Sequence, residues 1–240
     1  MAVEITLIKN KQKEFDKQFL APGVDLSTII TSPKWIEHIQ SLGNKQGYNI
    51  LEIGSRSVCA ESTWRKKFDK ANYIGFDYHP GHNVDVVGDA HMLSKYFSDI
   101  KFDLIYSHAV WEHLSAPWIV SEEIAKCLKL NGHLFIESHF SFSVHERPWH
   151  FFHFTDNGLK ALFPTSLGFK CIQSSLSNPI KGEFTSLADP YLKGKIIGGL
   201  YCHCEYLGQK IKEVSDFDWK NVRSTEIVDG REYPKPADLG

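Results

Sequence analysis

The chain lacks a strong charge of either sign. Lys and Arg total 27 against 29 Asp and Glu, for a formal net charge of -2. With no basic stripe, nucleic acid is not an expected partner. The chain also lacks any apolar run near the ~18–20 residues that a membrane helix needs, so no membrane association is expected. The opening stretch MAVEITLIKNKQKEFDKQF has no apolar core followed by a small-residue cleavage site, so no secretory signal is expected. The cysteines Cys59, Cys127, Cys171, Cys202 and Cys204 are odd in number and irregularly spaced. They read as free thiols in a reducing cytoplasm rather than as a disulfide framework. Cys202-His203-Cys204 lacks the second Cys/His pair of a tetrahedral site, and strand alternation sends its imidazole to the face opposite the sulfurs. Repeats and low-complexity tracts are missing too.

A further absence sits at residues 49–62, NILEIGSRSVCAES. A dinucleotide fingerprint wants Gly-x-Gly-x-x-Gly after its first strand, the second glycine letting backbone N–H groups approach a pyrophosphate. Only the first glycine, Gly54, is present, and Arg56 stands at the second position. That disfavours NAD or FAD and leaves a single tight turn.

What is present is an alternation of strands and helices. Residues 1–47 read as a polar, helical N-terminal lid or cap, broken at Pro22-Gly23 and carrying an apolar stripe at Trp35, Ile36 and Ile39. Residues 48–212 read as one domain. Its strands are expected at 49–53, 73–76, 85–87, 102–107, 133–137, 169–175 and 196–206, with helices at 62–68, 90–98 and 118–128. Asn131-Gly132 is the expected stop of the last helix. A polar loop with Pro179, Gly182 and Pro190 is expected to link the last two strands. Residues 213–240 read as a polar tail or lid. Strands separated by helices imply a doubly wound, mostly parallel sheet of the α/β class.

Ligands of such sheets bind beyond the carboxyl ends of the strands. The residues there are Glu52, Gly54, Ser55 and Arg56; then Asp77 and Tyr78; then Asp89 and Ala90; then Ser107 and His108; then Ser138 and His139. Asp77 is placed to accept from both hydroxyls of a ribose, and Asp89 from an exocyclic amine such as adenine's. Each acid also has a local use: Asp77 as the cap of the turn 78–81, Asp89 as the N-cap of the next helix. Their joint placement after successive strands favours a nucleoside. S-adenosylmethionine has ribose and adenine without phosphate, and needs only the first tight turn.

The motifs "LEIGSR", "GFD", "GDAH", "FDLIYSHAVWEHL" and "LKLNGHLFI" resemble those of class I S-adenosylmethionine-dependent methyltransferases over about residues 48–176. Departures are the missing glycines and Leu130-Asn131 where the family has Pro-Gly. The resemblance implies a Rossmann-like sheet of seven strands, the last inserted antiparallel. By position it implies that Glu52 and Gly54 lie beside the methionine part of the cofactor, Asp77 at the ribose, Asp89 at the adenine, and Ser107-His108 on the pocket floor. Ser55, Tyr78 and Ala90 join this lining, and Arg56 is within reach of the methionine carboxylate. The segment HERPWHFFHFTDNGLKALF resembles that of methyltransferases in glycan and natural-product clusters.

Methyl transfer needs alignment, and transfer to a hydroxyl also needs a base. Histidine suits that role near neutral pH. His145 and then His139 are the expected bases. Arg147, Trp149, His150 and Phe152 are the expected substrate wall, although aromatics in this segment also suit a local core. No metal is expected; Glu112 and His113 are the pair that would hold a divalent ion if one were used. The expected activity is methylation of an oxygen, less readily a nitrogen, of a small molecule such as a sugar, a nucleotide-linked sugar or a natural-product intermediate, by a monomer or homodimer. The rival readings are a regulatory protein that binds the cofactor without catalysis, and an NAD-dependent oxidoreductase.

Overall fold

The computed structural model describes residues 2–20, 32–57 and 64–228. Pro22-Gly23, Cys59 and Ser62 therefore lie outside the described residues.

Two helices come first, α1 (Ala2–Lys17) and α2 (Ser32–Gly43). Strands and helices then alternate: β1 (Asn49–Ile53), α3 (Trp64–Lys67), β2 (Asn72–Asp77), β3 (Val86–Val87), α4 (Leu93–Tyr96), β4 (Phe102–His108), α5 (Pro117–Cys127), β5 (Leu128–His139) and α6 (Asp156–Leu162). A long hairpin of β6 (Phe169–Glu183) and β7 (Ile196–Lys210) closes the sheet. The sheet has seven strands in the order β3-β2-β1-β4-β5-β7-β6. β7 runs antiparallel to both β5 and β6, and the other neighbouring pairs are parallel. Strand order reverses between β1 and β4, which places the crevice beyond their carboxyl ends.

The central strands are apolar on both sides because both faces are covered. On one face Leu51, Ile105, Leu134 and Tyr206 pack with Trp111, Ile124 of α5 and Leu159 of α6. On the other, Trp35 and Ile39 of α2 pack on Ile50, Leu104, Tyr106, Phe135 and Leu207. Trp35 lies over Phe135 with ring centroids 5.1 Å apart.

Three local expectations need correction. The helix before β5 ends at Cys127, where the Leu128 N–H bonds the Ile124 carbonyl and Leu128 turns extended. Asn131-Gly132 therefore does not stop that helix. It forms an irregularity inside β5, with Asn131 at φ +65° and a shift in the pairing with β4. Pro179 and Gly182 do not lie in a loop but in β6, opposite Tyr201 and Ile197 of β7. β6 is the edge of the sheet, where a residue without an N–H is tolerated. The helix after β1 is short, with Trp64–Lys67 its described extent.

The segments at either end pack on the domain. The Gly199 N–H donates to the Phe19 carbonyl across 2.7 Å, and Lys181 pairs with Asp16, which fastens the end of α1 to the hairpin. Beyond β7, Trp219 Nε1 donates to Glu122 of α5 at 2.7 Å, and Glu226 accepts the Ser166 N–H at 2.8 Å. Among the described residues no helix is long and apolar enough to cross a membrane.

Candidate active site

The turn after β1 is built on Gly54. Its φ is +83°, and a Cβ there would stand 2.1 Å from Val110 Cγ2. No side chain meets both demands. The Gly54 and Ser55 N–H groups both donate to the Phe76 carbonyl, at 2.8 and 3.1 Å, which clamps the turn to β2. Gly75 serves the same junction, since a Cβ on it would meet the Asn83 carbonyl at 2.0 Å.

Asp77 closes this corner. Its Oδ2 accepts the Arg56 N–H at 3.0 Å and its Oδ1 accepts the His79 N–H at 3.0 Å. The Arg56 Nε lies 3.5 Å from the same carboxylate. Tyr78 beside it is exposed. Asp89 is the N-cap of the turn Ala90–Met92, accepting the His91 N–H at 2.9 Å and standing 2.7 Å from His91 Nδ1. Burial works to raise the Asp89 pKa, but these bonds outweigh it and lower it. Ala90 is buried.

A belt of buried polar groups crosses the α2 face just below the strand ends. Glu52 is buried and accepts from the Tyr73 hydroxyl and from Asn83 Nδ2, the latter at 3.1 Å. Burial pushes its pKa up to about 7. His108 Nε2 lies 2.5 Å from Glu137 Oε1. Burial alone would lower the His108 pKa; the Glu137 carboxylate overcomes this and raises it. Glu137 pairs across the ladder with Glu205, which accepts from the hydroxyls of Ser175 and Ser177 and is also raised to about 7 by burial. The hydroxyls of Ser55 and Ser107 are buried without a hydrogen-bond partner among the described residues. Tyr73, Asn83, Glu137 and Glu205 were missed in the sequence. The one local signal is strand alternation, which puts Tyr73 and Glu137 on the same face as Tyr106 and His108.

The second group of residues gathers beyond β4 and β5. Glu112 is fully buried, with Oε2 accepting from the Ser138 hydroxyl at 2.8 Å. His139 Nδ1 lies 2.9 Å from Glu112 Oε1. Burial alone would raise the Glu112 pKa, yet the His139 imidazole, together with the Ser138 hydroxyl, holds it down at about 2. His113 Nδ1 is 2.8 Å from the Trp149 carbonyl, and His145 Nδ1 is 2.9 Å from the Ser143 carbonyl. The ring of His145 stands 5.3 Å from His139, 5.0 Å from His113 and 4.6 Å from His150. His203 of β7 approaches His139 at 5.5 Å, and Phe142 stacks on His139 at 4.5 Å. Burial, then neighbouring imidazoles, lowers the pKa values of His150 and His153.

The expected substrate wall divides. Arg147 is exposed and joined to Pro148 by a cis peptide bond. Trp149 is exposed at the rim, and the His150 ring faces the cluster. Phe152 instead packs half-buried on the apolar core beside Phe154.

Residues 51–136, from β1 through β5, match the family model of a methyltransferase domain. Among solved structures, YcgJ from Bacillus subtilis is similar at 16% identity, over 75% of this chain and 98% of that one, with a TM-score of 0.51. A putative methyltransferase from Bacillus halodurans C-125 is similar at 12% identity, over 75% of this chain and 98% of that one, with a TM-score of 0.53. No curated protein matches the chain in sequence. Residues 51–136 thus match a methyltransferase domain, and the sheet has the Rossmann-like methyltransferase fold. The matched domain and the fold support S-adenosylmethionine-dependent methyltransferase activity, with S-adenosylmethionine as the cofactor.

Proposed function

We propose that this enzyme methylates a hydroxyl oxygen, less readily a nitrogen, of a small molecule: a sugar, a nucleotide-linked sugar or a natural-product intermediate. The cofactor supplies a methyl group already activated on a sulfonium. The chain's own task is then to hold the partners in line and to remove the acceptor's proton.

On this reading the first corner holds the cofactor. Asp77 takes the ribose hydroxyls, Asp89 the adenine side, and Glu52, Gly54, Ser55 and Ser107 line the remainder, with Arg56 at the methionine carboxylate. The buried hydroxyls of Ser55 and Ser107, unpartnered among the described residues, suit a polar ligand there.

The base is one of the two histidines expected from the sequence, His139 or His145, and we assign it to His139. The observation that carries this is the buried Glu112 carboxylate, 2.9 Å from His139 Nδ1. A carboxylate behind one ring nitrogen orients the imidazole and stabilises its protonated form, leaving the other nitrogen to take a proton. Trp149 and Arg147 at the rim suit stacking on a ring and pairing with a phosphate or carboxylate. The free thiols of Cys127, Cys202 and Cys204 fit a cytoplasmic location. We take the enzyme to act as a monomer or homodimer, without nucleic acid.

The test is a calorimetric titration with S-adenosylhomocysteine, followed by a turnover screen over sugar and phenolic acceptors with the wild type and His139→Gln. Cofactor binding with turnover abolished in the variant is expected. Wild-type turnover in His139→Gln would reject His139 as the base.

A further inference from the structure

We infer that Glu112, His113 and His145 form a binding site for a divalent transition-metal ion, with two imidazoles and one carboxylate as ligands. This reverses the expectation from sequence that the site uses no metal.

His113 and His145 each set Nδ1 against a backbone carbonyl, Trp149 at 2.8 Å and Ser143 at 2.9 Å. A carbonyl can only accept, so each Nδ1 carries the hydrogen. In the neutral ring the lone pair then sits on Nε2. A metal-bound histidine has this same arrangement, with its far N–H anchored on a carbonyl or carboxylate.

His113 Nε2 lies 3.9 Å from Glu112 Oε1 and 3.8 Å from Glu146 Oε2. One ligand atom from each of Glu112, His113 and His145 falls within 4.8 Å of the others. Glu112 Oε1 is buried with His139 Nδ1 2.9 Å away, and a carboxylate oxygen keeps a second lone pair for a cation. Three acceptors thus converge, one of them a buried carboxylate oxygen. A cation would satisfy all three at once.

The geometry needs little adjustment. Metal–ligand distances of about 2.0–2.2 Å put adjacent ligand atoms roughly 3–3.5 Å apart. Glu112 and His113 adjoin in the turn after β4, while His145 comes from the segment after β5 and is half-exposed, so it has room to close. Two imidazoles with one carboxylate suit Mn, Fe, Co or Zn in the divalent state, and leave coordination positions open. An acceptor hydroxyl bound at an open position would be acidified by the ion. That role rests on the methyl-transfer reading above; the ion site itself rests on the ligand geometry alone.

The experiment uses the full chain stripped with chelator and titrated with Co(II), read by its visible d–d bands and by competition with Zn(II). Saturable bands are expected in the wild type, with affinity at least tenfold weaker in His145→Gln and in His113→Gln. Near-UV circular dichroism checks that the variants remain folded. No saturable spectrum at millimolar Co(II), or bands unchanged in the folded double variant, would overturn the site. Titration of the same metal-free protein with S-adenosylhomocysteine separates the two readings. Cofactor binding without a cobalt spectrum sinks the metal site only; a cobalt spectrum without cofactor binding sinks the methyl-transfer role and leaves the metal site standing.

Discussion

The main-chain N–H of Arg56 donates to Oδ2 of Asp77 across 3.0 Å, tying the turn after β1 to the end of β2. One carboxylate therefore both caps the corner and presents itself at the strand ends where a nucleoside would lie. The capping use and the ligand use of Asp77 are not rivals, because a carboxylate has about four lone-pair sites.

Asp77→Ala is expected to weaken S-adenosylhomocysteine binding at least tenfold, or about 1.4 kcal/mol. Calorimetric titration measures it. Arg56→Ala keeps the main-chain bond and removes only the guanidinium. A loss of several-fold is expected if that side chain reaches the ligand carboxylate, whereas unchanged affinity would assign Arg56 to the turn alone.

Gly54→Ala is expected to destabilise the fold. The added Cβ would sit 2.1 Å from Val110 Cγ2, at a φ of +83°. Overpacking of this kind costs about 1–3 kcal/mol, with further strain from the left-handed backbone. The melting temperature reads the loss. Gly54→Ala combined with Val110→Ala should recover only the clash, because the backbone strain persists.

The buried acids set a pH dependence. Glu52 and Glu205 are each raised from 4.5 to about 7 by burial. Between these values the unfolded chain releases protons that the folded chain retains. Stability from these groups is therefore greatest below about pH 4.5 and declines as pH rises towards 7. Glu112, lowered to about 2, acts in the opposite sense: its contribution is present above pH 4.5 and is lost as pH falls towards 2. Urea unfolding between pH 5 and 8 should show a decline that flattens in Glu52→Gln and Glu205→Gln.

His139→Gln is expected to lower kcat by roughly 100- to 10,000-fold, the usual worth of a general base. Binding of S-adenosylhomocysteine should stay near wild type, since the substitution lies outside the corner around Asp77. Comparing single-turnover rates with calorimetric affinity in the same variant checks both halves.

Much of the sheet was legible locally. The strands β1 to β4 are short apolar runs bounded by turns, with ends within about a residue of those expected, whereas β5 starts at Leu128, well before the expected 133. The hairpin was less legible. Pro179 and Gly182 are local breakers, yet β7 supplies them a pairing partner and the sheet edge excuses the missing N–H. The helix stop before β5 was misread for a related reason: Asn131-Gly132 has the composition of a cap, but Phe102 pairs with Leu128 and draws the chain into the sheet sooner.

The site followed the same division. Gly54 with no second or third glycine, and acids after successive strands, pointed to an adenosine ligand without a pyrophosphate, since those are demands of local backbone approach. Which histidine has a carboxylate behind it is another matter. Glu112 lies in the turn after β4 and His139 ends β5, and neither carries a local mark of the other. The sequence by itself determined the layered α/β fold and the class of cofactor, through periodicity and one obligatory glycine. Only the tertiary structure decided the Glu112–His139 pair and the convergence of Glu112, His113 and His145. Those are distances between side chains from separate segments, and burial of the carboxylate that makes them matter exists only once the sheet has assembled.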